Sequence, residues 1–292
     1  MPVSASIEIT TNCNLHCPEC PSGLKILSRK SGSIEINDFK KYFNQLEKYL
    51  ISLMLYFQGE PYLNKQFFEI IKYAKSKNVF TATSTNGHFL DNENAKQTVI
   101  SGLDSLIVSL DGTDQKTYSQ YRINGDFDKV ISGIKNMVFW KEKLKSKKPY
   151  IILQFLVLKT NEHQIEKIKL LSKKLNVNEL QLKSAQVYNY KNDKSLIPEN
   201  TKYSRYKKDD KGKYFIKNKL PNHCYRMWQS IVITWNGDVV PCCYDKDAQN
   251  KFGNLNTNSL KQIWKSNEYS SFRNKVLKMR GEIDICKNCN ET

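Results

Sequence analysis

The stretch Ser6-Ile7-Glu8-Ile9-Thr10-Thr11-Asn12-Cys13-Asn14-Leu15-His16-Cys17-Pro18-Glu19-Cys20 joins an alternating apolar segment to three thiols within eight residues. The alternation over 6–10 predicts a strand, so the thiols fall in the turn that leaves its C-terminal end. Three is an unusual ligand count. A structural zinc or an enclosed iron–sulfur cluster takes four protein ligands. Either a fourth comes from elsewhere in the chain, or one metal position is left open.

Outward from this stretch, short apolar strands alternate with amphipathic helices as far as residue 185. Strands are predicted at 6–10, 52–57, 79–83, 105–110, 151–158 and 179–183, with helices at 36–50, 66–76, 93–101, 128–143 and 162–175. In the second helix Phe67, Ile70, Ile71 and Ala74 recur at the i, i+3, i+4 spacing of one buried face. Such alternation implies parallel strands with crossover helices of one hand. Six units predict an α/β fold, a partial (β/α)6 TIM-like barrel over 1–185. Residues 186–222 are polar and Lys-rich without a clear period, which predicts a linker or loose crossover. Over 223–292 a small α+β domain is expected. Strands 230–235 and 238–240 flank Asn236-Gly237, a type I′ hairpin signal, and helices follow at 259–265 and 268–279.

The 292 residues carry a formal charge of +17 with 39% hydrophobic content, enough for a core. Nearly all the basic residues are Lys, spread along helix faces. A nucleic-acid binder concentrates Arg and Lys in one stripe with interleaved aromatics, so nucleic acid is not the expected partner. No apolar run approaches the ~20 residues of a membrane span, and the start, MPVSASIEITTNC, lacks the parts of a signal peptide. The expected location is cytoplasmic, where eight cysteines point to metal or redox chemistry rather than disulfides.

In parallel α/β barrels the site lies at the C-terminal ends of the strands, and the distinctive residues fall there. The three thiols follow the first strand, Gly59-Glu60-Pro61 the second, and Ser84-Thr85-Asn86-Gly87 the third. Ser109-Leu110-Asp111-Gly112 ends the fourth. A glycine there admits close backbone approach to a ligand, and a carboxylate can bind an ammonium or ribose hydroxyls.

On these residues the sequence resembles the radical S-adenosylmethionine (radical SAM) enzymes, whose signature is Cys-x3-Cys-x2-Cys after the first strand. The resemblance implies that Cys13, Cys17 and Cys20 hold a 4Fe–4S cluster whose open iron is chelated by SAM. Electron transfer to the sulfonium then yields a 5′-deoxyadenosyl radical that abstracts a substrate hydrogen. It implies SAM contacts at Gly59, Glu60 and Pro61, at Ser84 and Asn86, and at Ser109 and Asp111. Arg122, in "YRING", either contacts the SAM carboxylate or forms a surface salt bridge. Gln58 and Glu19 depart from the family pattern, the latter where an aromatic or large apolar residue is usual beside adenine.

Cys224, Cys242, Cys286 and Cys289 form a second set that resembles the auxiliary-cluster region of SPASM and "twitch" proteins, including "GNLNTNSLKQIW" at 253–264. Four thiolates would close a second 4Fe–4S cluster, suited to electron relay; a zinc ribbon is the alternative. Three residues follow Cys289, which favours the short twitch form, and Cys243 is the spare thiol. The resemblance implies an oxidoreductase of dehydrogenase type on a small polar substrate such as a sugar or aminocyclitol. Its reductant would be a flavodoxin or ferredoxin. A maturase acting on a ribosomal peptide is the alternative, although the dozen residues before Cys13 are too few for a fused leader-binding domain. A basic zinc protein binding nucleic acid is the third reading. No catalytic side chain is singled out; Lys183, Tyr188 and Tyr190 either line the substrate pocket or pack.

Overall fold

In the computed structural model, which describes residues 1–192 and 194–289, the chain divides into two compact units. The first contains Met1–Cys13, Lys25–Thr83 and the described residues from Leu220 onward; the second contains Asn14–Leu24 and Ser84–Lys219. The strands are β1 (Ser4–Ile7), β2 (Ser52–Met54), β3 (Phe80–Thr85), β4 (Ser105–Ser109), β5 (Tyr150–Val157), β6 (Glu179–Ser184), β7 (Tyr206–Lys208), β8 (Tyr214–Ile216), β9 (Ser230–Ile233), β10 (Asp238–Val240) and β11 (Gly253–Asn254). The helices are α1 (Pro21–Leu24), α2 (Ile36–Phe43), α3 (Phe67–Lys75), α4 (Asn92–Ile100), α5 (Gln115–Tyr121), α6 (Phe127–Lys143), α7 (Ile165–Lys174), α8 (Arg226–Gln229), α9 (Leu260–Trp264) and α10 (Asn267–Met279). No described helix is long and apolar enough to cross a membrane.

In the first unit β1 pairs with β2 and β2 with β3, all parallel. Ala5, Ile7, Leu53 and Leu55 are buried, as are Phe39 and Phe43 of α2 and Phe67, Ile70 and Ile71 of α3. On its other edge β1 pairs in parallel with β9, from Ser4↔Ser230 to Ile7↔Ile233, and β9, β10 and β11 continue antiparallel. The C-terminal hairpin therefore extends the same sheet. In the second unit β4, β5 and β6 are parallel neighbours, with alternate residues of β5 buried. Its helices start on side-chain caps: Asp91, Asp114 and Asp126 each accept a hydrogen bond from the first turn of α4, α5 and α6.

Three local expectations are corrected. The helix expected over 36–50 ends at Phe43, and the turns after Asn44 carry Leu46 and Leu50 inward. The 186–222 segment contains the β7–β8 hairpin. Its turn forms because Gly212 takes φ +75° and Asp209 Oδ1 accepts from the N–H groups of Lys211 and Lys213. The β9–β10 turn is not type I′, which needs positive φ at both central residues. Only Gly237 has it, at +90°, and its N–H donates to the Thr234 carbonyl. This is the type I turn with an αL residue that makes a bulge.

Three features of the first unit fix the loop after β1. Glu8 is fully buried and takes both Arg29 terminal nitrogens, at 2.7 and 2.5 Å, while its Oε2 also accepts the Trp235 N–H at 3.2 Å. Burial pushes the Glu8 carboxyl above its ordinary pKa, and Arg29 pulls it back. Beyond this pair, Thr11 N–H donates to the Gly32 carbonyl and Gly32 N–H to Thr11 Oγ1, both at 2.9 Å. Gly59, at φ +75°, lies so close that a Cβ would stand 2.3 Å from the Thr10 oxygen and 2.8 Å from that of Asn12. The Glu60 N–H then donates to the Asn12 carbonyl at 2.7 Å.

Glu8→Ala should leave Arg29 buried without its carboxylate and cost about 3–5 kcal/mol, read as a lower urea midpoint; an unchanged midpoint would contradict the role given to the pair. Gly59→Ala adds an αL cost of about 1–2 kcal/mol and must also displace the 10–12 backbone. Its thermal midpoint and its iron content after reconstitution should both fall.

Candidate functional site

The observed strands end where the distinctive residues lie. Gly59-Glu60-Pro61 follow β2 within a few residues, Ser84 and Thr85 close β3 with Asn86 next, and Ser109 closes β4 two residues before Asp111. In the first unit, Cys13 is half-buried at the end of the loop that Gly59 and Glu60 fix. Glu60 is 1% exposed, and its carboxylate accepts the Tyr62 N–H at 3.3 Å, capping the 3-10 turn Pro61–Leu63. Pro61 is buried at the start of that turn.

In the second unit, Cys17 and Cys20 sit in the turn that opens α1. The Cys20 N–H donates to the Cys17 carbonyl at 3.1 Å, and the Gly23 N–H points at Cys20 Sγ at 3.4 Å. Arg122 reaches the same turn: Nε donates to Asp111 Oδ2 at 2.6 Å, and Nη1 lies 3.8 Å from Cys17 Sγ. Asp111 is itself anchored, its Oδ1 accepting the Leu156 N–H at 2.7 Å and its carbonyl accepting Asn161 Nδ2 at 3.0 Å. Both Asp111 oxygens are thus engaged inside the protein, and Arg122 is held in a half-buried ion pair rather than a surface one.

Electrostatics follow from this packing. Burial disfavours the charge on Arg122, but Asp111 and Cys17 outweigh it and hold the guanidinium above its ordinary pKa. Burial likewise pushes the Cys17 thiol up, and Arg122 pulls it partly down. Asn86 Nδ2 donates to Asn14 Oδ1 at 2.8 Å, fixing the start of the thiol loop. Ser109 is buried and Ser84 half-buried.

Glu19 accepts the Tyr188 N–H at 2.9 Å, so the carboxylate that departs from the family pattern ties the thiol loop to the segment after β6. Tyr190 stacks on Tyr206 at 4.6 Å, which is packing; Lys183 is exposed. His88 carries no sequence signal. It is buried, and its Nε2 accepts the Asp126 N–H at 2.8 Å, so the ring proton sits on Nδ1 toward Asn86. Burial lowers its pKa and keeps it neutral.

The second thiol set lies wholly in the first unit. Cys224 precedes α8, Cys242 follows β10, Cys286 ends the turn Asp284–Cys286, and the Cys289 N–H donates to the Cys286 carbonyl at 2.9 Å. All four line one cavity together with Met227, Phe272, Val276 and Arg280. Burial raises the Cys242 thiol well above its usual pKa, reinforced by Cys243, Cys286 and Cys289. Cys286 is pushed up to about 11 by burial against the pull of Arg280. Cys243 is exposed. Four soft donors in an apolar cavity fit an iron–sulfur cluster, whose binding would displace the thiol protons.

Residues 7–174 match the radical SAM superfamily, and residues 224–290 match SPASM, an iron–sulfur cluster-binding domain. The chain is 28% identical over 295 aligned residues to the tungsten-containing aldehyde ferredoxin oxidoreductase cofactor-modifying protein of Pyrococcus furiosus, spanning 91% of this chain and 82% of that one. Its fold is similar to that of BtrN in complex with AdoMet and 2-DOIA, with a TM-score of 0.60 and 17% identity over 100% of this chain and 94% of BtrN. It is also similar to Streptococcus suis SuiB bound to S-adenosylmethionine, with a TM-score of 0.71 and 15% identity over 99% of this chain and 71% of SuiB. The fold is accordingly a partial barrel with a C-terminal SPASM domain, and 4Fe–4S chemistry and SAM come with it. The match over 7–174 displaces the reading as a zinc protein that binds nucleic acid. The chain belongs to the radical SAM superfamily.

Proposed function

We propose that this protein is a radical SAM oxidoreductase with two 4Fe–4S sites, acting on a small polar molecule such as a sugar or aminocyclitol. The observation that carries the reading is the convergence of Cys224, Cys242, Cys286 and Cys289 on one cavity. A site closed by four protein thiolates suits electron acceptance, whereas Cys13, Cys17 and Cys20 leave one position for SAM. When bound, the open cluster and SAM supply reductive cleavage to a hydrogen-abstracting 5′-deoxyadenosyl radical.

The chain's own residues do the rest. The loop fixed by Gly59 and Glu60 presents Cys13, and the Glu60 carboxylate is the acceptor for the SAM ammonium. Asp111 orients Arg122 through the 2.6 Å bond, and Arg122 supplies the cation for the SAM carboxylate. Asn86 and Ser109, at two neighbouring strand ends, supply polar contacts to the nucleoside, with Ser84 and Pro61 shaping its surroundings. The small-substrate assignment is supported by the similarity to BtrN, whose structure holds 2-DOIA, and by a relative described as cofactor-modifying. The peptide-maturase alternative is supported by the similarity to SuiB in complex with its precursor peptide SuiA. A flavodoxin or ferredoxin is the proposed reductant.

Anaerobic reconstitution should yield about eight irons per chain for two cubanes. Cys242→Ala should lose roughly half of them yet still cleave SAM abortively, while joint replacement of Cys13, Cys17 and Cys20 should abolish cleavage. Cleavage that survives the triple replacement would refute the open-cluster assignment. Asp111→Asn should weaken SAM binding about tenfold, as expected for one lost hydrogen bond to a charged group, measured by equilibrium dialysis. Incubation with deuterated aminocyclitols should transfer deuterium into 5′-deoxyadenosine; transfer from peptides alone would shift the assignment to the maturase reading.

A further inference from the structure

Arg280 is the largest fully buried side chain among the described residues, at 1% exposed, and it belongs to the four-thiol cavity. Its Nη2 lies 3.5 Å from Cys289 Sγ, and Cys286 lines the same cavity. Its Nη1 donates to the carbonyls of Pro221 and His223, and its main-chain N–H donates to Asn222 Oδ1 at 3.0 Å. One guanidinium thus reaches one of the thiols and holds the segment that leads into another, Cys224.

A buried cation is favoured beside negative charge. Four thiolates on an iron–sulfur core carry net negative charge, which grows by one on reduction. A fixed cation and N–H···S hydrogen bonds favour the more negative form, so they raise the reduction potential. Arginine suits this place better than lysine because its planar fork can serve sulfur and carbonyl acceptors together.

We propose that Arg280 is the positioning residue of the C-terminal thiol site: its guanidinium arranges the ligand segments and stabilises the reduced form of the iron–sulfur group they hold. This rests on the two-cluster reading above. The redox step is a one-electron reduction, with the electron supplied in the test by dithionite through mediators and with no proton taken up.

The test is a potentiometric titration of the reconstituted full chain, followed by low-temperature EPR, on the parent protein, Arg280→Gln and Arg280→Lys. The signal that Cys242→Ala removes is the one followed. Arg280→Gln should make its reduction about tenfold less favourable, a potential about 59 mV lower for a one-electron couple. Arg280→Lys should shift it in the same direction by less, and the signal that persists in Cys242→Ala should not move in either variant. An Arg280→Gln protein that keeps its iron at the parent potential would overturn the proposal. Should that variant lose its iron, Arg280→Lys decides: a lowered potential supports the proposal and a parent-like one overturns it. If the parent protein shows no Cys242-dependent signal, the two-cluster reading fails first, which is a distinguishable result.

Discussion

A backbone contact too close for any side chain organises the loop that carries Cys13. Gly59 can lie against residues 10–12 because it has no Cβ and because φ +75° costs it little. The Glu60 N–H to Asn12 bond and the reciprocal bonds between Thr11 and Gly32 then leave that loop few alternatives. A site that must present thiolates in a set geometry needs its backbone determined before its ligands arrive. Here that determination comes from main-chain groups, with the Glu8–Arg29 pair buried beneath them.

The cations divide the labour by type. Lysine dominates the 46 basic residues, and the chain has only six arginines. Three of the six are placed where a planar, always-charged fork matters. Arg29 grips Glu8 with two nitrogens, Arg122 spans Asp111 and Cys17, and Arg280 spans two carbonyls and the thiols of the C-terminal cavity. A fourth, Arg273, lies over the rings of Trp264 and Tyr269 at 4.3 and 3.9 Å. The net charge of +17 says little about function, whereas Arg29 and Arg122 pair with carboxylates that are buried.

Arg280 and the Glu8–Arg29 pair carry no local sequence signal and emerge only from the structure. What was legible were local signals: the period of the strands and helices, the Cys-x3-Cys-x2-Cys spacing, and polar residues at successive strand ends. The pairing of β1 with β9 joins residues more than two hundred positions apart, and such pairing leaves no local pattern to read. The β7–β8 hairpin was hidden by its lysines, which face water on an edge where charge is tolerated. Glu19 departs from the family pattern, and only the structure shows that its carboxylate accepts the Tyr188 N–H. Asp111, expected as a SAM contact, has both carboxylate oxygens engaged inside the protein, by Arg122 and by the Leu156 N–H.

In the proposed function one thiol set leaves an iron open to SAM while the other closes its cluster. Low-temperature EPR of the reduced, reconstituted chain, recorded with and without SAM, tests it most directly. Two 4Fe–4S signals are expected, of which SAM shifts only the one that depends on Cys13, Cys17 and Cys20. A spectrum in which SAM leaves both signals unmoved, or shifts the one that depends on Cys242, would contradict it.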